Sequence, residues 1–551
     1  MDKKRKLPAF FLLLAAGCAG TWERIDRAAL PRAADHPGQD GVRLLEEHIV
    51  RFRPPSAAGA SPVADETVRR RVLILRESGA SLATVRAESD AFREVLSFRA
   101  RSIAPDGTLR EFSRRDAIDV PDFGDSELFS DSRALVLSVS PSTPGTIVEV
   151  EYTRRLREVP LLAFRQPFAY PQPAAVIRFI VEAPDAFLIE HMTTRRGRRI
   201  EAAGPVETVQ GGLKRLVWER RSIPALADAS MAPPSPLRAP VVDVRLAAWR
   251  DRDGVVSAPA GFEALSAKLG RIYEEASPPS PALDRLADDL MADAGSDLRA
   301  RARRIHAWVR DEVRYCAIEI GRGYYTPHPP DEVSRLRYGD CKDKANLLRK
   351  LLARAGIRSH VALLFAHDGL PLAPALPVIA GYFNHAILRV ELPDGSLFVD
   401  PTARTVPFGE LPASDQEAQV LLIDERGAQL AITPSTRAAD NREELRLDLA
   451  LGLDGAAHGT YHAEAIGAPA ASLRQRLLDA REEDRRDVVA AWFPVETATW
   501  SPPAIADLSP GTGAPPLHAD GEIALARSLS SAGVERVLRL SEILRGWTPA
   551  P

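Results

Sequence analysis

The stretch RYGDCKDKANLLRKLLARAG, residues 337–356, decides how the rest of the chain is read. It holds one of only three cysteines among 551 residues. Ala345, Leu348, Leu352 and Ala355 form one apolar stripe at helical spacing, and Gly356 is a stop signal, so a helix is predicted here. Gly339 and Asp340 precede the stripe, which makes Asp340 the expected N-cap and puts Cys341 in the first turn. Unpaired N–H groups and the helix dipole favour negative charge there, and draw a thiol toward thiolate, its reactive form. Lys342 and Lys344 add to that pull, while Asp340 and Asp343 oppose it. Of the five lysines after residue 18, three lie at 342, 344 and 350, beside this cysteine. From these residues alone Cys341 has four open roles: nucleophile, metal ligand, disulfide half or small buried apolar side chain.

A thiol nucleophile needs a base, and the base needs a group to orient it. FNHAILRVELPDGSLFVDPTAR (383–404) offers His385 and Asp400 on consecutive extended runs. Any antiparallel pairing whose partner numbers sum to an odd value puts both on one face. A loop at 391–394 sets them directly opposite, and a loop at 392–395 leaves them one diagonal apart, within side-chain reach. A tight Asp394-Gly395 turn instead offsets them by roughly 13 Å along the strand. The expectation is therefore a loop longer than the Asp-Gly pair suggests. A zinc site built from Cys341, His385, Asp400 and His328 is the competing arrangement, but no short-spaced ligand pair supports it. Cys316 opens the extended stretch CAIEI and is expected as a buried free thiol; a disulfide masking Cys341 is the alternative.

A chain of this length predicts about three domains. With 45% hydrophobic and 27% charged residues and a net charge of -3, it has the composition of a globular protein. The absence of a basic excess argues against a nucleic-acid partner. The N-terminus, MDKKRKLPAFFLLLAAGCAG, sets Lys3, Lys4, Arg5 and Lys6 before a short apolar run, the pattern of an export signal. Ala15-Ala16-Gly17-Cys18 resembles a bacterial lipobox. That resemblance implies lipidation of Cys18 and, with Ala19 beside it, a periplasmic position on the outer membrane; a plain cleaved signal is the alternative. Residues 1–18 are thus read as a lipoprotein-type signal peptide and 19–60 as a tether. Residues 61–225 form a β-rich domain, since TIVEVEYTRRL (146–156) and VIRFIVEA (176–183) alternate apolar and polar residues. RSIPALADASMAPPSPLRAP (221–240) is rich in Pro, Ala and Ser and marks a linker, bounded at 226–260. Helical spacing dominates the start of the next domain, 261–435, and extended runs its end. Residues 436–551 are expected to be a small α+β domain, with one amphipathic helix over 471–493.

GDCKDKA, NHAILRV and LFVDPT, in that order, resemble the core of the transglutaminase-like superfamily. The whole of 314–357 is similar to bacterial proteins that carry an N-terminal DUF3857 domain. VLSFRARSIAPDGTLREF (95–112) and SPSTPGTIVEVEYT (140–153) resemble that domain, so most of residues 60–430 is covered. The resemblance implies a multidomain α+β fold: an N-terminal antiparallel β-sandwich-like domain, a central papain-like domain and a small C-terminal α+β domain. It also implies a catalytic triad, with Cys341 as nucleophile, His385 as general base and Asp400 as the group that fixes the imidazole. The implied chemistry is acyl transfer from an amide carbonyl through a thioester to water or an amine. The Cys341 N–H is the first expected oxyanion donor, and a second is sought among 315–325, with Tyr324 and Tyr325 foremost. The expected substrate is a protein, a peptide or an envelope polymer, with membrane contact through the N-terminal lipid only. No cofactor and no required metal are expected. The alternative is a catalytically idle member of the fold that serves as an envelope binding or assembly module.

Overall fold

The computed structural model describes residues 25–56, 60–122, 127–158, 162–195, 198–201, 204–226, 238–251, 254–257, 261–366, 383–426, 430–452, 456–492, 498–500, 516–525, 529–532 and 535–538. Cys18 and the signal segment lie outside these residues. Among the described residues no helix is long and apolar enough to cross a membrane.

The N-terminal region is built on one large sheet. Its strands are β1 (Gly41–Arg53), β2 (Val63–Ile74), β3 (Arg93–Ile103), β4 (Leu109–Ser113), β5 (Ile147–Leu156), β6 (Ala174–Pro184), β7 (Val206–Gln210) and β8 (Leu213–Ile223). They lie in the order β7-β8-β6-β1-β2-β5-β3-β4. Every pair is antiparallel except β1 with β6, which is parallel. One end of the sheet packs Val50, Phe52, Phe179 and Trp218 against Val244, Leu246 and Trp249 of strand 240–251. The other end packs Phe98, Val148 and Val150 against a three-stranded sheet of 84–89, 118–121 and 133–138. These two cores make the region sandwich-like.

Two expected boundaries are corrected here. The tether assigned to 19–60 contains β1, a central strand of the large sheet. The linker assigned to 226–260 contains Pro240–Asp251, a strand paired on both sides, to 163–167 and 188–195. In both places buried charges disguised the alternation. Glu46 and Glu47 of β1 are covered by Arg70 at 2.9 Å and Arg69 at 3.2 Å. Asp243 is held by Arg165 at 2.8 Å.

The central domain opens with α1 (Phe262–Glu275), α2 (Pro281–Met291) and α3 (Leu298–Glu312), then α4 (Pro330–Leu336) and α5 (Cys341–Arg354). A five-stranded antiparallel sheet follows, made of β9 (Ser359–Leu364), β10 (His385–Leu392), β11 (Gly395–Val399), β12 (Gln419–Leu422) and β13 (Leu430–Ile432). Their order is β11-β10-β9-β12-β13. α5 lies at the centre, and its Ala345, Leu348, Leu351 and Leu352 pack with Tyr273, Ile305, Val309, Leu388 and Val390. Each such leucine removed from water stabilises the fold by about 1.5–3 kcal/mol. The helix that begins at Cys341 is thus firmly anchored in the core of the domain.

The C-terminal region pairs strands 442–451, 457–466, 517–525 and 498–500 in that order. Two helices follow the second strand, α6 (Ala468–Asp479) and α7 (Arg485–Trp492). The single helix expected over 471–493 is broken at Ala480, whose backbone is extended; Arg481 then pairs with Asp484 at 2.7 Å across a short turn.

Candidate active site

The first turn of α5 is fixed before any chemistry is considered. Asp340 is its N-cap: Oδ1 accepts from the Asp343 N–H at 3.1 Å, and Asp343 Oδ2 accepts from the Asp340 N–H at 3.2 Å. This reciprocal capping satisfies two donors that the helix leaves open. Gly339, one residue earlier, has no room for a side chain, because a Cβ there stands 2.8 Å from Asp343 Cβ. Its carbonyl accepts from the Cys316 N–H at 3.0 Å, which ties the turn to the strand after α3. Cys341 is therefore the first residue of a capped, buried helix, half-buried against the core. Lys342 and Asp340 form a buried ion pair beside it, 6% and 0% exposed. Replacing Lys342 with Met strands the Asp340 carboxylate, and the expected cost is about 3–5 kcal/mol of unfolding free energy in urea titration. A change under 1 kcal/mol contradicts that account.

His385 is the first residue of β10, and Asp400 follows the last residue of β11. The connecting turn is two residues long, Pro393-Asp394, so the expectation of a longer loop is corrected. It starts one residue before the Asp-Gly pair, and Leu392 pairs with Gly395 and Leu388 with Val399. That is the one-diagonal register, and it sets His385 Nε2 3.2 Å from Asp400 Oδ2. Gly395, at φ +128°, absorbs the turn in a backbone region that other residues rarely adopt.

The Asp400 carboxylate is buried, and its Oδ1 accepts from the Thr402 N–H at 2.7 Å and Oγ1 at 2.8 Å. Burial opposes its charge, but His385 and Thr402 more than offset that and hold its pKa below the ordinary value. Burial likewise opposes an imidazolium at His385. The Asp400 carboxylate and the neighbouring Cys341 outweigh it, and the imidazole pKa stands well above its ordinary value. Nε2 is turned to Asp400, and Cys341 also meets the ring. Both Cys341 and Cys316 are free thiols, and Cys316 is buried.

Residues 284–401 match the transglutaminase-like superfamily core, and residues 63–227 match the domain of unknown function DUF3857. The chain carries a transglutaminase-like core behind a DUF3857 domain. The crystal structure of "a putative protease from Parabacteroides distasonis" aligns with 89% of this chain and 94% of its own, at 13% identity and a TM-score of 0.57. At that identity the likeness bears on the fold alone. An M1 zinc metallopeptidase from Deinococcus radiodurans covers 44% of this chain and 55% of its own, at 13% identity and a TM-score of 0.21. A "putative cysteine protease from Cytophaga hutchinsonii" covers 64% and 89%, at 12% identity and a TM-score of 0.20. Scores that low support no argument. No curated protein matches the chain.

Around Cys341, His385 and Asp400 lie several residues that sequence reasoning missed. Thr402 was adjacent in DPT and could have been read as an Asx-type partner of Asp400. Asp415, in a short turn, brings Oδ2 to 3.9 Å from His385 Nε2. No spacing in the sequence signals that approach. His385, Asp400 and Asp415 offer ligand atoms within 4.8 Å of one another, the one such group among the described residues. Neither Cys341 nor His328 belongs to it, so the zinc set weighed from the sequence is not assembled. His328 instead meets the Asp343 carboxylate through both its N–H, at 2.8 Å, and Nδ1, at 3.0 Å. Lys344 is buried and donates from Nζ to the carbonyls of Val313 at 2.6 Å and Arg310 at 3.3 Å. Its burial pushes it down to about 8. Of the residues named as second oxyanion donors, Tyr325 turns toward Phe92, 6.3 Å between ring centroids, and Tyr324 is 38% exposed.

The segment leading to Cys341 is joined to the DUF3857 domain. Strand 317–319 pairs in parallel with 127–130. Asp131 Oδ2 accepts from the N–H of Gly321 at 3.3 Å and of Ala91 at 3.0 Å, so one carboxylate brackets both domains. Arg322 reaches Glu158 at 3.2 Å.

Proposed function

We propose that this protein is a cysteine hydrolase or acyltransferase acting on peptide or isopeptide amide bonds through Cys341, His385 and Asp400. The observation that carries this reading is the 3.2 Å contact of His385 Nε2 with Asp400 Oδ2, beside a cysteine that opens a capped helix. Cys341 Sγ, as thiolate, attacks the amide carbonyl carbon and forms a C–S bond. The carbonyl oxygen gains the displaced electron pair and is met by the Cys341 N–H at the helix start. As the tetrahedral species collapses, the C–N bond breaks and the nitrogen takes the proton from the His385 imidazolium. This leaves a thioester and a neutral imidazole. Water, or an acceptor amine, then attacks the thioester as His385 removes its proton, and the thiolate is released. Asp400 keeps the ring oriented through both steps. No step calls on a metal.

The position of the reaction follows from the N-terminus: with Cys18 lipidated, the protein works on the periplasmic side of the outer membrane, on a protein, peptide or envelope-polymer substrate. Thiol alkylation tests the catalytic reading without a known substrate. At pH 6 Cys341 is expected to react with iodoacetamide at least about tenfold faster than a model thiol, which is largely protonated there. His385→Ala is expected to abolish the excess. Equal rates in wild type and model thiol, with no effect of His385→Ala, return the protein to a binding module.

A further inference from the structure

We infer that Asp415 is a positioning residue of this site, a third group that clasps the His385–Asp400 pair through Oδ2 and controls the charge state of the imidazole. The inference deepens the proposed function and rests on it.

The carboxyl is held rather than merely nearby. Asp415 ends the short turn 413–415, its N–H donating to Pro412 O at 3.0 Å and its carbonyl accepting from Thr433 Oγ1 at 2.6 Å. Oδ1 accepts from Ser414 Oγ at 3.0 Å. Oδ2 is left pointing at His385 Nε2 from 3.9 Å, buried and without a hydrogen-bond partner among the described residues. The residue is 1% exposed. A buried polar oxygen left unpaired is costly unless it has a role or a proton.

Counting charges supplies the proton. Two carboxyl groups and one imidazole share this pocket, all within 4.8 Å. Asp400 takes the Nε2 hydrogen bond and the two Thr402 donors, so the imidazolium and Thr402 balance that carboxylate. Asp415 has Ser414 as its donor, and its carboxyl also meets that of Asp400, a contact that requires a proton between them. Burial, and then the charge on Asp400, push Asp415 up to about 7. The other ionisable groups around the pocket do not cancel this. Lys344 acts on Asp400 from α5, with Nζ donating to the Val313 and Arg310 carbonyls. His306 on α3 faces the Asp400 carbonyl from 3.4 Å, and burial brings it down to about 4, so it is neutral. Cys341 faces His385.

The consequence has a definite sign. Below neutral pH Asp415 is an uncharged acid, and the imidazolium is balanced by Asp400. As pH rises through neutrality Asp415 loses its proton, and a second negative charge arrives beside Nε2. That charge holds the imidazolium to higher pH than Asp400 alone does. The site therefore keeps the proton needed to expel the amine under alkaline conditions.

The test is an NMR titration of the His385 ring, with ¹³C-labelled histidine, in wild type and Asp415→Asn. Asn keeps the shape and removes the ionisation. The His385 midpoint is expected to fall by about 1–3 pH units in Asp415→Asn, the usual effect of one charge lost at this range. A purely structural role leaves the midpoint in place and lowers only thermal stability, and an unmoved midpoint overturns the inference. Should Asp415→Asn not fold, the wild-type ring shift decides alone. An inflection near pH 7 that precedes loss of the imidazolium proton supports the inference, and a single inflection overturns it. Iodoacetamide rates at pH 6 on the same samples separate the two ideas. Slow alkylation in wild type ends the catalytic reading and the positioning role together, whereas fast alkylation with an unmoved midpoint ends only the role of Asp415.

Discussion

On the proposed function, Cys341→Ala is expected to lower acyl transfer by about 10⁶-fold in kcat, the scale seen when the nucleophile of a triad is removed. Among the described residues no other thiol stands in for it. Cys316, the other thiol in the central domain, is buried, and burial raises its pKa away from the reactive form. The alanine fits at the first position of α5, where it is a strong helix former and the Asp340–Asp343 capping is untouched. The variant is therefore expected to melt within a few degrees of wild type while losing all labelling by an acyl-type activity probe. Label retained on Cys341→Ala would falsify the assignment of the nucleophile. The contrast with an idle module is sharp, since a binding protein keeps its ligand affinity when one small side chain is trimmed.

Asp400→Asn is expected to lower kcat by about 10⁴-fold, because it installs the wrong tautomer of His385. The Thr402 N–H and Oγ1 both donate to Oδ1, so an asparagine at 400 must keep its carbonyl oxygen at that position. Its NH₂ then faces Nε2, where the carboxylate Oδ2 now lies at 3.2 Å. Nε2 becomes an acceptor, and the ring proton moves to Nδ1, on the side of Cys341. The base can no longer take a proton from the thiol. Loss of the countercharge also lowers the imidazolium pKa, so the same NMR titration reads the change. A kcat within tenfold of wild type means that Asp400 does not set the tautomer.

The parts legible in the sequence were those whose physics is local. Cap, stripe and stop for α5 all lie within 20 consecutive residues, and each is a backbone or periodicity signal. His385 and Asp400 were legible at one remove, because strand parity limits which face each side chain takes. The register of a 392–395 loop was right but the loop was taken as too long, because the ladder runs on to Leu392 and Gly395 and leaves only Pro393-Asp394 to turn. β1 and strand 240–251 were hidden because their buried positions include Glu46, Glu47, Asp243 and Arg245. A buried carboxylate is compatible with a core only when a partner strand supplies the arginine, and that pairing is non-local. Asp415 was hidden for the same reason: its meaning comes from a tertiary approach to β10, not from its neighbours in PASDQ.

The parallel ladder between residues 317–319 and 127–130 has a consequence for how the two domains endure as a pair. Its hydrogen bonds are main-chain bonds, which any non-proline residue can make. An interface held by side chains is lost as those side chains drift, whereas one stitched by backbone tolerates nearly free substitution on either strand. Excising the central domain would bare an unpaired strand edge, a template for aggregation. Much of the join between the two domains is thus carried by the strand itself, with Asp131 and the Arg322–Glu158 pair as its side-chain supports.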